Sequence, residues 1–285
     1  MALTGIEIFK KLPKTNCGEC GVPTCLAFAM KLAAGQAELA SCPFVSTEAK
    51  AALEEASAPP IRPVTIGSGD KALKIGGETV MFRHEKRFVN PTGIAVLVTD
   101  KMSEDEVDQR LKKLNELKFE RVGLLLQADL VAVKGESGDP AQFETLVKKV
   151  KEKLDGKGMV LMSEDPKVLS AGAKACAGCK PLLYAATKAN ADAMASLAKE
   201  ISAPLAVKGS SLDELVELTT KLTAAGLKDL VLDSGARTPK KLLEDQIIMR
   251  RTALMKKFRP LGFPTITFPC EMTPDPMKET LLASM

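Results

Sequence analysis

The sequence predicts an α/β protein in which a small, mainly helical N-terminal domain precedes a TIM-type β/α barrel. Three observations carry this. Four of the seven cysteines crowd into the first 42 residues. A proline-rich stretch, SAPPIRPV (57–64), then interrupts the chain. From about residue 93, short apolar runs alternate with longer amphipathic ones, the texture of repeated β-α units. The 285 residues suit one barrel of about 250 residues or fewer plus a small module.

The first element is a short helix, residues 5–12, introduced by the capping-box pair Thr4 and Glu7. The cysteine segment NCGECGVPTC follows. A second helix is expected to start at Pro23, a residue tolerated at the first helical position, and to stop at Gly35. Ser46 is a suitable cap for a third helix, to residue 56. Residues 1–58 thus form the first domain. Residues 59–92 are expected to be a proline-rich linker and a β-hairpin, with ALKIG and ETVMF flanking the turn-forming pair Gly76-Gly77. The barrel occupies residues 93–285. Its expected strands are GIAVLVTD (93–100), RVGLLLQ (121–127), MVLMSE (159–164), LLYAA (182–186), PLAVKG (204–209), DLVLDSG (229–235) and TITFP (265–269), with helical patterns such as SEDEVDQRLKKLNEL between them. The strands read as nearly continuous apolar runs, as parallel strands covered on both faces do. Seven strands fall short of the eight of a closed barrel. The last run, DPMKETLLASM, reads as the start of a helix, so the barrel is expected to be cut short at its C-terminus.

Composition excludes several classes. The net charge is +4 from 40 basic and 36 acidic side chains, well interspersed. There is no long basic run with interleaved aromatics of the kind nucleic acid requires, so no nucleic-acid partner is expected. No apolar run reaches the roughly 18–20 residues of a membrane span, and MALTGIEIFKK does not read as a secretory signal. No membrane partner is expected, and the expected location is the cytoplasm. Clustered cysteines in a reducing compartment point to metal or redox chemistry.

The spacing of Cys17, Cys20, Cys25 and Cys42 is C-x2-C-x4-C-x16-C. A C-x2-C pair lets one tight turn present two sulfurs to one centre. Gly18 and Gly21 let the backbone curl closely there, with N–H groups available to thiolate sulfur. Cys25 falls in the first turn of the expected helix, where the dipole favours a thiolate. Pro43 follows Cys42. Four thiolates can hold a [4Fe–4S] cluster or a structural zinc. Zinc ribbons usually show two C-x2-C knuckles, and here there is one, which favours iron–sulfur.

The stretch TGIEIFKKLPKTNCGECGVPTCLAFAMKLA…SCPF resembles the large (gamma) subunit of the corrinoid iron–sulfur protein of the acetyl-CoA synthase/CO dehydrogenase (reductive acetyl-CoA) pathway. The resemblance continues through PLLYAATKAN, PLAVKG and LVLDSGAR. It implies a methyl carrier, a component of methyl transfer more than a self-sufficient catalyst. A methyl group passes from methyl-tetrahydropterin to acetyl-CoA synthase via cobalt, and a [4Fe–4S] cluster on Cys17, Cys20, Cys25 and Cys42 returns Co(II) to Co(I). The implied cofactors are that cluster and a corrinoid (cobamide). The corrinoid belongs to the full-length complex, in a C-terminal domain absent from this chain. The implied partners are the small subunit, forming a heterodimer, the methyltetrahydropterin methyltransferase, and acetyl-CoA synthase/CO dehydrogenase.

Two other readings stand beside this one. The first is a pterin-dependent methyltransferase barrel with a structural metal knuckle. Asp233-Ser234-Gly235 resembles the Asp-Pro-Gly turn of such barrels. The second is a stand-alone ferredoxin-like electron carrier. A second C-x2-C, Cys176 and Cys179, lies outside the family pattern and reads as loop cysteines. Strand ends carry Asp100, Gln127, Glu164, Lys208, Asp233 and Glu271, the positions where barrel sites gather. The only histidine, His84, lies in FRHEKRF and reads as part of a solvated surface strand. Cys270 is expected to serve packing.

Overall fold

In the computed structural model, the structure describes all residues except 1–4, 34–35, 38, 51–52, 54–57, 155 and 285. The chain divides into two compact units, Met1–Pro59 and Pro60–Met285.

In the first unit, α1 (Gly5–Lys11) and α2 (Cys25–Ala33) build a small core from Ile8, Leu12, Val22, Cys25, Phe28, Ala29 and Leu53. α2 begins two residues later than Pro23 because the Thr24 hydroxyl accepts the N–H of Ala27 at 3.1 Å and so caps the helix. Ser46 caps the next helical turn in the same way, accepting from Ala49 at 3.2 Å. Thr4, Gly35 and the end of the third helix lie outside the described residues.

The second unit starts with a hairpin, β1 (Val64–Ile66) and β2 (Leu73–Ile75), paired antiparallel. The expected hairpin about Gly76-Gly77 does not form. Residues 78–82 leave the sheet because Glu78 turns inward. Its carboxylate pairs with Arg83, accepts the N–H of Val89 at 3.0 Å, and faces Arg250 at 3.6 Å. Arg250 also donates to the carbonyls of Val80 and Met81. His84 is exposed and stacks on Phe82, in a turn and not the strand expected.

Among the described residues, six parallel strands follow: β3 (Ala95–Thr99), β6 (Leu130–Lys134), β7 (Gly158–Met162), β8 (Leu182–Ala186), β9 (Leu205–Lys208) and β10 (Leu230–Asp233). Their order in the sheet is their order in the chain, the singly wound arrangement of a β/α barrel. Side chains alternate between two cores. Leu130, Ala132, Val160, Met162, Leu182, Tyr184, Ala206 and Val231 meet in an inner cluster with Val64, Ile66 and Phe268. Val131, Val133, Leu161, Leu183, Leu205 and Leu232 face the helices in the outer cluster. The β1–β2 hairpin covers the N-terminal ends of the strands. Gly67 donates to Lys180 O at 2.9 Å, and a side chain on Gly158 would meet Ile66 O.

The connecting helices start where small polar residues cap them. In α3 (Glu104–Glu116), Ser103 and Glu106 form a reciprocal capping box. Asp139 and Asp165, each followed by proline, cap α4 (Pro140–Lys153) and α5 (Pro166–Ala175). α6 (Ala191–Glu200) and α7 (Leu212–Ala224) follow, the latter capped by Ser211. α8 (Pro239–Met255) and α9 (Pro276–Ser284) complete the helices.

Two strand expectations are corrected. RVGLLLQ does not enter the parallel sheet. β4 (Lys118–Arg121) and β5 (Leu124–Gln127) form an antiparallel hairpin with Val122 and Gly123 left-handed at its tip. Leu124, Leu125, Val122 and Phe119 are exposed on it. The parallel strand is the next apolar run, LVAVK, which is buried on both faces. Asp129 aligns it beside β3 by accepting the N–H of Ile94 at 2.9 Å. TITFP contributes one parallel bridge, Thr265 with Leu232. Pro264 and Pro269 bracket it and supply no N–H to a ladder. No described ladder joins this segment to β3.

Candidate metal centre and barrel mouth

Cys17 and Cys20 lie on one turn, Cys25 follows at the start of α2, and Cys42 comes directly after a separate 3-10 turn, Leu39–Ser41. Gly18 and Gly21 have φ of 76° and 77°, and the N–H of Gly21 reaches Gly18 O at 2.9 Å. Glycine is required there by backbone conformation and not by crowding, since a Cβ at either position meets nothing within 4 Å. Cys25 opens α2 and is buried. Cys20 and Cys42 are half-buried and pack, with Cys25, on the first unit's core, while Cys17 is exposed. Asn16, which sequence reasoning passed over, accepts the N–H of Cys25 at 2.8 Å.

The donor chemistry fits an iron–sulfur cluster: thiols only, three of them packed on an apolar core, the kind of surrounding that influences reduction potential. The sulfurs are not gathered. Among the described residues, no three His, Cys, Asp or Glu side chains form a group that could hold a metal ion.

Cys176 and Cys179 end α5 at the opposite end of the barrel from its mouth. Cys176 is fully buried in the outer core, and burial, with Cys179 beside it, pushes its thiol up to about 12. A thiol so held is chemically quiet. In the native, cluster-free chain at pH 8, iodoacetamide is expected to label Cys17 and leave Cys176 unmodified until the barrel is unfolded in urea. Peptide mass spectrometry reads this, and native labelling of Cys176 at the rate of Cys17 would refute it. Cys270 is exposed in a short 3-10 turn, so the expected packing role is corrected.

The strand ends at the mouth carry an ordered polar network. Asp233, 2% exposed, accepts from Tyr184 OH at 2.7 Å and from Arg237 Nη2 at 2.9 Å and Nη1 at 3.1 Å. It also takes the N–H of Gly235 at 2.8 Å. Arg237 Nε donates to Glu271 at 2.5 Å, Nη2 reaches Tyr184 OH, and Nη1 reaches Ala236 O. The guanidinium lies over the Phe268 ring, 4.6 Å from its centroid. Lys134 joins from β6, 3.5 Å from Glu271 and 3.2 Å from Glu136. Burial, then the Asp233 charge, holds the Tyr184 phenol protonated far above its ordinary range. Burial opposes the Arg237 charge, but the hydrogen bonds and charge of Asp233 outweigh it and raise its pKa.

Of the expected strand-end residues, Asp233 and Glu271 meet in this network. Glu164 and Lys208 pair with each other at 2.6 Å. Asp100 accepts from the N–H groups of Glu136 and Ser137, holding the loop after β6. Gln127 is on the β4–β5 hairpin and does not belong to the mouth. Tyr184, Arg237 and Lys134 were not singled out from sequence. The absence of any other tyrosine was the available signal for the first.

A family model described as CO dehydrogenase/acetyl-CoA synthase delta subunit matches residues 63–278. A second, describing an Fe-S cluster, matches residues 12–44, a window containing all four N-terminal cysteines. The corrinoid/iron-sulfur protein large subunit of Moorella thermoacetica is 47% identical over 99% of this chain and 63% of its own length. Acetyl-CoA decarbonylase/synthase complex subunit gamma of Methanopyrus kandleri is 37% identical over 99% of this chain and 63% of its own. Subunit gamma 1 of Methanosarcina thermophila is 41% identical over 93% and 58%. The chain therefore spans less than two thirds of the length of these relatives. Among the described residues, no helix is long and apolar enough to cross a membrane. The match to most of the second unit, with relatives aligned along nearly the whole chain, places this protein in the CO dehydrogenase/acetyl-CoA synthase delta subunit family.

Proposed function

We propose that the chain is the iron–sulfur and barrel portion of a corrinoid methyl carrier. The carrier passes a methyl group from methyl-tetrahydropterin to acetyl-CoA synthase via cobalt. The observation that carries this is the thiol-only set Cys17, Cys20, Cys25 and Cys42, inside a segment matching an Fe-S model, in a chain otherwise similar to corrinoid/iron-sulfur large subunits. These four cysteines would ligate a [4Fe–4S] cluster. When bound, it supplies the electron that returns oxidised Co(II) to Co(I). Gly18 and Gly21 give the loop its reversal, and Cys20, Cys25 and Cys42 pack on the apolar core of the first unit. The corrinoid would be held within the full-length complex. The partners are the small subunit, the methyltetrahydropterin methyltransferase and acetyl-CoA synthase/CO dehydrogenase, and the setting is the cytoplasm, where thiols stay reduced.

The reading as a pterin-binding methyltransferase is disfavoured by the mouth. That reading rests on the Asp233-Ser234-Gly235 turn, and the Asp233 carboxylate is already taken up by Tyr184, Arg237 and the Gly235 N–H. The barrel here acts as scaffold and docking surface. Anaerobic purification with metal analysis and visible spectroscopy tests the proposal. About four irons per chain and a brown absorbance bleached by dithionite support it. One zinc per chain and no colour defeat it.

A further inference from the structure

Asn16 stands immediately before the first cysteine of the set and hydrogen-bonds to the third. Its Oδ1 accepts the backbone N–H of Cys25 at 2.8 Å, across nine positions of chain. Its backbone is left-handed, with φ 50°, a conformation that asparagine and aspartate adopt at lower cost than other side-chain-bearing residues. The contact draws the loop carrying Cys17 and Cys20 onto the start of α2. The loop's other described hydrogen bonds are local: Gly21 to Gly18 O at 2.9 Å, and the Cys20 thiol to Val22 O at 3.7 Å.

We propose that Asn16 is a positioning residue for the iron–sulfur cluster, holding Cys17 and Cys25 in register while adding no charge beside the sulfurs. The inference rests on the cluster reading above. Three properties meet at this position: a left-handed backbone, an acceptor able to reach the Cys25 N–H, and no charge added to that of Glu19, which already stands between Cys17 and Cys20. Glycine meets the first and lacks the second. Aspartate meets the first two, and the positive end of α2 would favour its charge. A carboxylate next to four thiolates, however, opposes the addition of an electron. The amide satisfies all three.

The test uses the full chain, reconstituted anaerobically with iron and sulfide, as wild type, Asn16→Gly and Asn16→Asp. Asn16→Gly keeps the backbone and loses the acceptor. It is expected to release iron to a ferrous chelator roughly three to ten times faster, the worth of one hydrogen bond. Asn16→Asp keeps the acceptor and is expected to release iron at the wild-type rate. Its reduction midpoint, followed by visible absorbance in an anaerobic titration, falls below that of wild type. A helix cap without influence on the cluster would leave that midpoint unmoved. Wild-type release by Asn16→Gly, or a wild-type midpoint in Asn16→Asp, overturns the proposal alone. A wild-type chain that takes up no iron overturns the cluster reading and this proposal together.

Discussion

Asp233→Ala is expected to destabilise the barrel by about 2–3 kcal/mol. Removing one partner of a buried ion pair costs about 3–5 kcal/mol, because the other charge is left uncompensated. Here the Arg237 side chain is 26% exposed and keeps Glu271 at 2.5 Å, which reduces the loss. The Tyr184 hydroxyl loses its acceptor as well. Asp233→Asn retains an acceptor and should fall between the variant and wild type. Glu164→Gln is the contrast: it breaks a pair whose members are 58% and 34% exposed, worth under about 1 kcal/mol. The chain offers a clean probe. Tyr184 is the only tyrosine and there is no tryptophan, so tyrosine fluorescence during urea unfolding reports on the second unit alone. Equal shifts for Asp233→Ala and Glu164→Gln would show that the network contributes nothing special.

The second large effect is on metal content. Single replacement of Cys17, Cys20, Cys25 or Cys42 by alanine should drop iron from about four per chain to below about one, because a cuboidal cluster needs its thiolate ligands. Cys176→Ala, Cys179→Ala and Cys270→Ala should leave iron at the wild-type level. The barrel fluorescence must be unchanged throughout, which separates lost ligation from unfolding. Iron loss in the Cys176→Ala, Cys179→Ala double variant, with full retention in Cys17→Ala, would move the site to the other C-x2-C.

Local signals were legible in the sequence. Ser46 and the helix pattern from Ser103 could be read directly, because a cap acts within four residues. The βα rhythm was also readable, since each parallel strand is apolar on both faces. The error between RVGLLLQ and LVAVK has a plain cause. Both are short apolar runs, and burial, which distinguishes them, is a tertiary property. Gly76-Gly77 looked like a hairpin turn, but Glu78 is committed to Arg83 and Arg250, the latter far along the chain. The cysteine set could be put forward from sequence because its members lie close together there. The Tyr184–Asp233–Arg237 network could not, since 49 positions separate Tyr184 from Asp233 and only the fold makes them neighbours.

The β4–β5 hairpin has a practical consequence for handling the protein. Among the described residues, neither outer edge of these two short strands has a backbone partner, and Leu124, Leu125 and Leu126 follow one another beside Val122 at the tip, all exposed. Unpaired edges with apolar side chains are templates for strand addition. The solubility of this chain should therefore be limited by self-association through that hairpin. Replacing Leu124 and Leu126 with lysine should raise the concentration at which sedimentation velocity first detects oligomers, without altering the barrel's unfolding midpoint by more than about 0.5 kcal/mol equivalent, as surface changes seldom do. A concentration threshold that stays put would relocate the sticky surface elsewhere. The segment that misled the strand assignment is then also the one that sets how concentrated the protein can be made.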